Sequence, residues 1–362
     1  MDFDEGNSDL VHSCRRIRDA YSPQLLNDFD WDHQDQSWAN GKIPSLYFQA
    51  CSGAKFDAIP GQLDDMDKQI SDREAKYRKD TSNPKLTDVV PEFATMTIGG
   101  NDAGFFGVVS NCIFHNDIGR DYGPDYPDPK GECAKVINET THRVANDDEF
   151  AKGLAEQIEH VLGHSKFKDK SNFKLFVTGH ARFFNQDDPA CDKYGLRLIG
   201  SPSLTRILRN AINDLVLLVN HKVEETVHKA NIPKAIFVDF DSGFEGHRFC
   251  EPNDSSGYLG NRKQRINSWF WSFSVFDNYS LPPGTAALCD PDLDVNCPDL
   301  QPDNPEYGYQ VSGGSSDPSQ TPSATRTFHP KKSGHTAIKD KTGGLDGSYT
   351  PVSRDMDCFF NC

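Results

Sequence analysis

The sequence TMTIGGNDAGF, residues 95–105, places two glycines, an amide and a carboxylate directly behind an apolar run. The apolar run is typical of a buried strand. Glycine and asparagine adopt the positive φ angles of tight turns, so the polar part fits an ordinary corner. It fits equally well a loop that binds a ligand where the strand ends. The rest of the chain has to decide between these two interpretations.

The composition excludes several classes of protein. The chain has 362 residues, which leaves one large domain or two ordinary ones open. Its formal net charge of −16 repels nucleic acid and anionic membrane surfaces, so we expect no nucleic-acid partner. No apolar run approaches the roughly 20 residues of a transmembrane helix, and we expect no transmembrane segment.

The cysteines indicate an oxidising compartment. Their number is even, 10, and they are dispersed without a Cys-x-x-Cys pair of the zinc or redox type. Glycosylation sequons at Asn138, Asn253 and Asn278 agree with secretion. Because Met1 opens onto an acidic stretch without a signal peptide, we expect an extracellular protein whose N-terminal segment is missing from this sequence.

Strand-like and helix-like runs alternate, a pattern typical of a parallel sheet covered by helices. We predict strands over residues 45–50, 93–98, 173–179 and 235–240. The clearest helix carries one apolar face, formed by Leu204, Leu208, Ala211, Leu215, Leu218 and Val219, and Pro202 and Ser203 are typical of its start. A second helix is predicted over about 150–162. Residues 280–323 are rich in Pro, Asp, Gly and Ser and indicate a long loop insertion.

Three polar stretches carry residues suited to catalysis: ACSGA (50–54), GGND (99–102) and FHP (328–330). The first two follow predicted strands, and ligands of parallel sheets gather at the carboxyl ends of strands. A backbone amide beside a glycine and an asparagine amide can together stabilise an oxyanion. A histidine can act as the general base for a hydroxyl nucleophile. Each stretch alone fits a turn, a disulfide anchor or a helix start.

In this order the stretches resemble the SGNH (GDSL-type) hydrolase superfamily, in particular its secreted, disulfide-bonded esterases and lipases of fungal type. The resemblance covers most of the chain and rests on CRRIRDAYSPQL (14–25), FQACSGA (48–54), TIGGNDAGF (97–105), VTGHARFFN (177–185), FEGHRFCEP (244–252) and FHPKKSGH (328–335). It implies a three-layer α/β/α, flavodoxin-like fold with a parallel sheet, formed as a single domain over residues 1–362.

The resemblance also implies an activity and its residues. Gly53 would be the oxyanion-hole glycine, Asn101 the side-chain donor and His329 the catalytic base of a carboxylic-ester hydrolase. Such enzymes act through a serine acyl-enzyme, without cofactor or metal and usually as monomers. The substrate would be a small-molecule, lipid or polysaccharide ester.

Two departures from the family pattern bear on activity. The family's first strand ends in Gly-Asp-Ser and supplies the nucleophile, and the chain contains no such segment. Ser8, in EGNSDL, is the nearest candidate, although no apolar strand precedes it. We therefore expect the first, central strand of the sheet to be missing. The second departure is Arg326, which stands where many members have the aspartate that orients the histidine.

The resemblance suggests five disulfides: Cys14–Cys51, Cys112–Cys133 and Cys191–Cys250, with Cys289–Cys297 and Cys358–Cys362 by proximity. Two other functions stay open at this point. A non-catalytic secreted protein of this fold would bind carbohydrate or lipid. A metal protein would use Glu156, His160 and His164, whose spacing by fours places them on one face of the second helix, although a solvated polar face explains the same spacing.

Overall fold

A computed structural model of the chain describes residues 20–27, 46–79, 91, 93–114, 121–146, 148–195, 202–230, 232–252, 268–270, 328–330 and 332–343. Within this part, three short strands alternate with helices. The strands are β1 (Phe93–Thr97), β2 (Lys174–Thr178) and β3 (Ala235–Val238). The helices are α1 (Tyr21–Asn27), α2 (Ile59–Lys79), α3 (Gly100–Ala103), α4 (Phe105–Cys112), α5 (Glu132–Ala145), α6 (Asp148–Gly163), α7 (Arg206–Ala230) and α8 (Lys332–Gly343). Single 3-10 turns lie at Phe56–Ala58, Pro189–Lys193 and Asp241–Phe244.

The three strands form one parallel sheet in the order β1-β2-β3. Thr97 lies opposite Thr178 at the carboxyl end of the β1–β2 pair, and Thr178 lies opposite Val238 in the next pair. Three of the four predicted strands are therefore confirmed. Because the strands are parallel, their carboxyl ends share one edge of the sheet, and the loops that follow β1, β2 and β3 meet there.

The prediction of a fourth strand at residues 45–50 is wrong. The structure describes residues 46–50, and these residues form no strand. Residues 46–50 are buried, with Tyr47 fully inaccessible and Phe48 8% exposed, but they belong to no ladder of the sheet. An apolar run indicates burial, whereas a strand also requires a backbone partner in register. The composition of the run therefore indicates burial but does not indicate whether the backbone pairs with a neighbouring strand.

The sheet is covered by helices on both faces, as predicted. On one face Ala94, Met96, Leu175 and Val177 share a core cluster with residues of α2, α6 and the second half of α7. On the other face the Tyr21 hydroxyl of α1 lies 3.2 Å from Thr97 Oγ1, and α8 packs against α1. The result is a three-layer α/β/α arrangement.

Both predicted helices are confirmed, with one correction at a helix start. The second helix is α6, and Phe150, Leu154, Ile158 and Leu162 lie on its buried face. The first is α7, which begins at Arg206 rather than beside Pro202 and Ser203. Thr205 is the residue that caps it, because its Oγ1 accepts a hydrogen bond from the Leu208 amide over 3.3 Å.

Two of the implied disulfides are confirmed. Cys112–Cys133 joins the end of α4 to the start of α5, and Cys191–Cys250 joins the loop after β2 to the loop after β3. Cys51 is also disulfide-bonded. Its expected partner Cys14, the cysteines at 289, 297, 358 and 362, and the predicted loop insertion at 280–323 lie outside the described residues. None of the described helices is both long enough and apolar enough to cross a bilayer.

Candidate active site

The turn after β1 is built on two glycines in the left-handed region. Gly99 has φ +104°, and a Cβ at this position would lie 3.0 Å from the Phe150 ring. Gly104 has φ +89°, and a Cβ there would overlap the guanidinium of Arg143, which donates to the Ala103 carbonyl over 2.9 Å. Both the backbone conformation and the close neighbours therefore require glycine. Between the two glycines, the single turn of α3 carries Asn101.

Two side chains of α3 connect this turn to the loop that contains Gly53. Asn101 Nδ2 donates to the Ala54 carbonyl over 3.0 Å. The Phe56 amide donates to Asp102 Oδ1 over 3.1 Å. Gly53 is exposed at φ +82°, and a Cβ there would meet nothing within 4 Å. The two residues predicted as oxyanion donors thus lie in loops that are joined directly.

Asp102 is half-buried, and its hydrogen bond with the Phe56 amide joins the Asn101 turn to the loop that contains Gly53. Burial raises the pKa of its carboxyl group, and the hydrogen bond from the Phe56 amide opposes that rise. Its second oxygen, Oδ2, is buried and has no hydrogen-bond partner among the described residues. The sequence predicted no role for this carboxylate.

His329 is exposed at the start of the segment that leads into α8, and its two neighbours are anchored. Phe328 is only 7% exposed and has φ +69°, a conformation uncommon for a residue with a Cβ. Pro330 forms an isolated antiparallel bridge with Phe270. A strained residue persists only where the surroundings hold it, so these anchors fix the direction in which the His329 backbone leaves the core.

An aromatic cluster connects His329 to the Asn101 turn. The Phe328 ring lies 5.0 Å from that of Phe183, and Phe184 and Phe249 lie within 5.8 Å of it. Phe183 in turn stacks on Phe105, centroid to centroid at 5.0 Å. Phe105 is the residue after Gly104, so one chain of rings runs from the turn after β1 to the residue beside His329.

A second chain of contacts reaches the same histidine through α8. Burial, followed by the nearby charge of His329, lowers the pKa of His335 to about 3, so His335 is neutral at physiological pH. Its ring lies 6.4 Å from that of Tyr21. Tyr21 OH contacts Thr97 Oγ1, which lies 2.5 Å from Thr178 Oγ1. His329 is therefore connected, through His335 and Tyr21, to Thr97 and Thr178, the last residues of β1 and β2.

An ion-pair network that sequence reasoning missed joins the loops after β2 and β3. Asp241 accepts hydrogen bonds from the Arg182 amide and side chain, each over 2.7 Å, and lies 3.2 Å from Arg248. Arg248 is 4% exposed and also pairs with Glu245 at 2.7 Å. The segments 177–185 and 244–252, which were singled out for resemblance alone, supply Arg182, Glu245 and Arg248 to this network, and Asp241 lies just before the second segment.

The described residues do not place any of the remaining sequence candidates beside Gly53, Asn101 or His329. Ser8 and Arg326 lie outside the described part of the chain. The open alternative of a metal face at Glu156, His160 and His164 gains no support, because His164 follows the end of α6 and pairs with Asp67 at 3.3 Å, while Glu156 faces Lys152. Among the described residues, no three His, Cys, Asp or Glu side chains are grouped so as to hold a metal ion.

A cavity of about 400 Å³ lies beside α8. Its walls include Gly243, Trp269, Ser333, Thr336 and Lys341. The Trp269 ring is held in place by stacking on His247 at 3.8 Å. Within the aromatic segment 266–276, two described residues differ in their surroundings: Phe270 is buried in the core, and Trp269 lines this cavity.

With this geometry in view, the chain resembles an extracellular lipase from Streptomyces rimosus over 95% of its own length and 93% of the lipase, with 14% identity and a TM-score of 0.51. The two chains share a fold. A phospholipase A1 from Streptomyces albidoflavus NA297 is also similar, at 19% identity and a TM-score of 0.45 over 73% of this chain and 78% of that one. No protein-family model and no curated protein matches the sequence.

Proposed function

We propose that this protein hydrolyses carboxylic esters. The observation that carries the proposal is the direct connection between the Asn101 turn and the Gly53 loop at the carboxyl edge of the sheet. Two loops that each offer an N–H donor meet there, and His329 is connected to the same corner through the aromatic cluster. The fold shared with an extracellular lipase and the resemblance of the motifs to SGNH hydrolases support the same activity.

In the proposed mechanism, the Gly53 amide and the Asn101 side chain stabilise the oxyanion. A primary amide has two N–H groups, and Asn101 uses one of them to contact Ala54. The other can donate to the ester carbonyl oxygen as negative charge develops on it. One such donor contributes on the order of 3 kcal/mol to transition-state stabilisation.

His329 is proposed as the general base. It removes the proton from a serine hydroxyl during attack on the ester carbonyl and returns it to the leaving alcohol. Exposure suits this role, because the base must reach both the substrate and the nucleophile. Ser8 is the nucleophile candidate that the sequence offers.

Secretion belongs to the same proposal. The described disulfides Cys112–Cys133 and Cys191–Cys250 require an oxidising environment to form and persist. Asn138, one of the sequons, is exposed on α5 and accessible to modification. An extracellular enzyme that acts on lipid or polysaccharide esters accounts for these features together.

The test is turnover of short-chain p-nitrophenyl esters by the full chain and by three variants. We expect Asn101→Ala to lower kcat by roughly 100-fold, and Ser8→Ala and His329→Ala to abolish turnover. An active protein that retains its rate in the Asn101 variant would contradict the oxyanion assignment. Activity that survives in the Ser8 variant would exclude that serine.

The second candidate function is binding without catalysis, favoured by the cavity that Trp269 and polar side chains of α8 line. An aromatic wall beside hydroxyl and charged groups suits a sugar ring or a lipid headgroup. Absence of ester turnover, together with saturable binding of an oligosaccharide that Trp269→Ala removes, would establish this function instead.

A further inference from the structure

His180 is a half-buried titratable residue to which the proposed mechanism gives no role. It follows β2 by two residues and lies at the carboxyl edge of the sheet, next to the turn that carries Asn101. If a Cβ were added to Gly100, it would lie 3.5 Å from His180 Cε1, an ordinary van der Waals contact. The imidazole ring therefore faces Gly100, the residue before Asn101, and leaves space for no more than a methyl group between them.

The backbone of His180 is fixed from the opposite side by α7. The His180 amide donates to Asn220 Oδ1 over 2.7 Å, and Asn220 Nδ2 donates to the His180 carbonyl over 2.7 Å. Asn220 is 8% exposed, so both hydrogen bonds are shielded from water. A Cβ on the preceding Gly179 would lie 2.9 Å from Asn220 Oδ1, so glycine permits this close approach.

The His180 ring has a defined protonation state. It donates a hydrogen bond to the Ile98 carbonyl, and burial nevertheless lowers its pKa below the ordinary value. Nε2 is buried and has no hydrogen-bond partner among the described residues, so the donor to Ile98 is Nδ1. The ring is thus neutral, with its proton on the nitrogen that faces the last residue before the two glycines.

We propose that His180 is a positioning residue of the esterase site: its backbone is anchored through Asn220 to α7, and its imidazole donates to the Ile98 carbonyl and faces Gly100, which sets the position of the Asn101 amide. This inference rests on the proposed function. Ile98 and Gly100 bracket Gly99, the residue of the turn with φ +104°. A glycine in this conformation allows several backbone paths, and contacts on both of its sides select one.

Displacement of the Asn101 amide should weaken stabilisation of the transition state more than binding of the substrate. An oxyanion donor must lie within hydrogen-bond distance of the oxygen as charge develops, and a displacement of about 1 Å lowers the rate by roughly 100-fold. Substrate binding depends on other surfaces of the site. Disturbing His180 should therefore change kcat and leave KM nearly constant.

The experiment compares His180→Phe with His180→Asn on a p-nitrophenyl ester. Phenylalanine keeps a ring against Gly100 but removes the donor, whereas asparagine places an amide N–H near the position of Nδ1. We expect His180→Phe to lower kcat by roughly 10- to 100-fold with KM within about twofold, and His180→Asn to restore most of the loss. His164→Phe is the matched control, because His164 lies before β2, at the amino edge of the sheet.

Nitrogen-15 NMR of histidine-labelled wild-type protein supplies a readout that does not depend on turnover. The signals that are absent in both His180 variants identify the His180 ring, and we expect this ring to be neutral with its proton on Nδ1. A His180 ring that is charged or protonated on Nε2 would overturn the proposal, as would equal kcat in wild type and His180→Phe, or a change confined to KM. If wild type and Asn101→Ala are equally inactive, the esterase function itself fails and the positioning role fails with it.

Discussion

The side chain of Asn101 and the backbone of Ala54 are joined by a 3.0 Å hydrogen bond from Nδ2 to the carbonyl oxygen. This bond fixes the plane of the amide and thereby the direction of its second N–H. An oxyanion donor that is oriented before the substrate binds costs no reorganisation during the reaction. The relationship links the two loops that carry the proposed donors.

Asn101→Asp tests the role of the Asn101 N–H donor more severely than Asn101→Ala does. A carboxylate at this position loses the donor and places negative charge beside the Ala54 carbonyl and the developing oxyanion. We expect kcat for p-nitrophenyl acetate to fall by roughly 1,000-fold. Asn111→Asp makes the same chemical change on α4, where Asn111 Nδ2 donates to Gly107, and should leave kcat within about threefold. Equal losses in both variants would contradict a specific role for Asn101.

Phe328→Ala should both destabilise the protein and impair catalysis. Phe328 is 7% exposed among three phenylalanine rings, and truncation of such a side chain costs about 3–5 kcal/mol of unfolding free energy. Urea denaturation measures this cost. Phe106→Ala removes an equal side chain that is 57% exposed, and should change stability by less than about 0.5 kcal/mol. If the two variants are equally stable, the aromatic cluster does not anchor His329.

The stability of the protein should decrease on acidification because of His335. Its pKa is lowered from 6.5 to about 3 in the folded state, so between these values the unfolded chain binds a proton that the folded chain does not. The free energy of unfolding then falls as pH falls, by about 1.4 kcal/mol per pH unit, and this contribution is constant above pH 6.5.

His335→Gln should remove the His335 contribution to that slope in urea titrations performed between pH 4 and 7. His160→Gln is the control, since His160 is exposed on α6. An unchanged slope in the His335 variant would mean that this residue is not buried as a neutral ring. His180, whose pKa is also lowered by burial, contributes with the same sign, so the slope of the variant should decrease without vanishing.

The two described disulfides should differ in their contribution to stability. Cys112–Cys133 closes a loop of 21 residues and Cys191–Cys250 one of 59. In the chain-entropy model, removing them costs about 3 and about 4 kcal/mol respectively. Paired Cys→Ala variants measured by denaturant titration give both values. A smaller loss for the longer loop would show that contacts other than chain entropy dominate there.

Part of this architecture was readable from the sequence. Apolar runs predicted β1, β2 and β3 because each run is short and bounded by polar or turn residues. The order of motifs predicted that the loops of Gly53 and Asn101 would come together. Residues 46–50 were misassigned, since burial does not report backbone pairing.

Other features depend on long-range contacts that no local pattern carries. Nothing in GHARFFN indicates that the His180 ring faces Gly100, because the two residues are 80 positions apart in the chain. The left-handed φ of Phe328 is imposed by its aromatic neighbours rather than by its own preference. The ion pair between Arg182 and Asp241 joins residues 59 positions apart.

Two side chains lie close to the glycines of the turn after β1: Arg143 lies beside Gly104, and Phe150 lies beside Gly99. They belong to α5 and α6, so the geometry of the turn depends on side chains outside the loops that carry the proposed oxyanion donors. Evolution or directed engineering could retune reactivity through these two helices while the residues that contact substrate stay constant. Variation at positions 143 and 150 among related proteins would then track with turnover rather than with substrate preference.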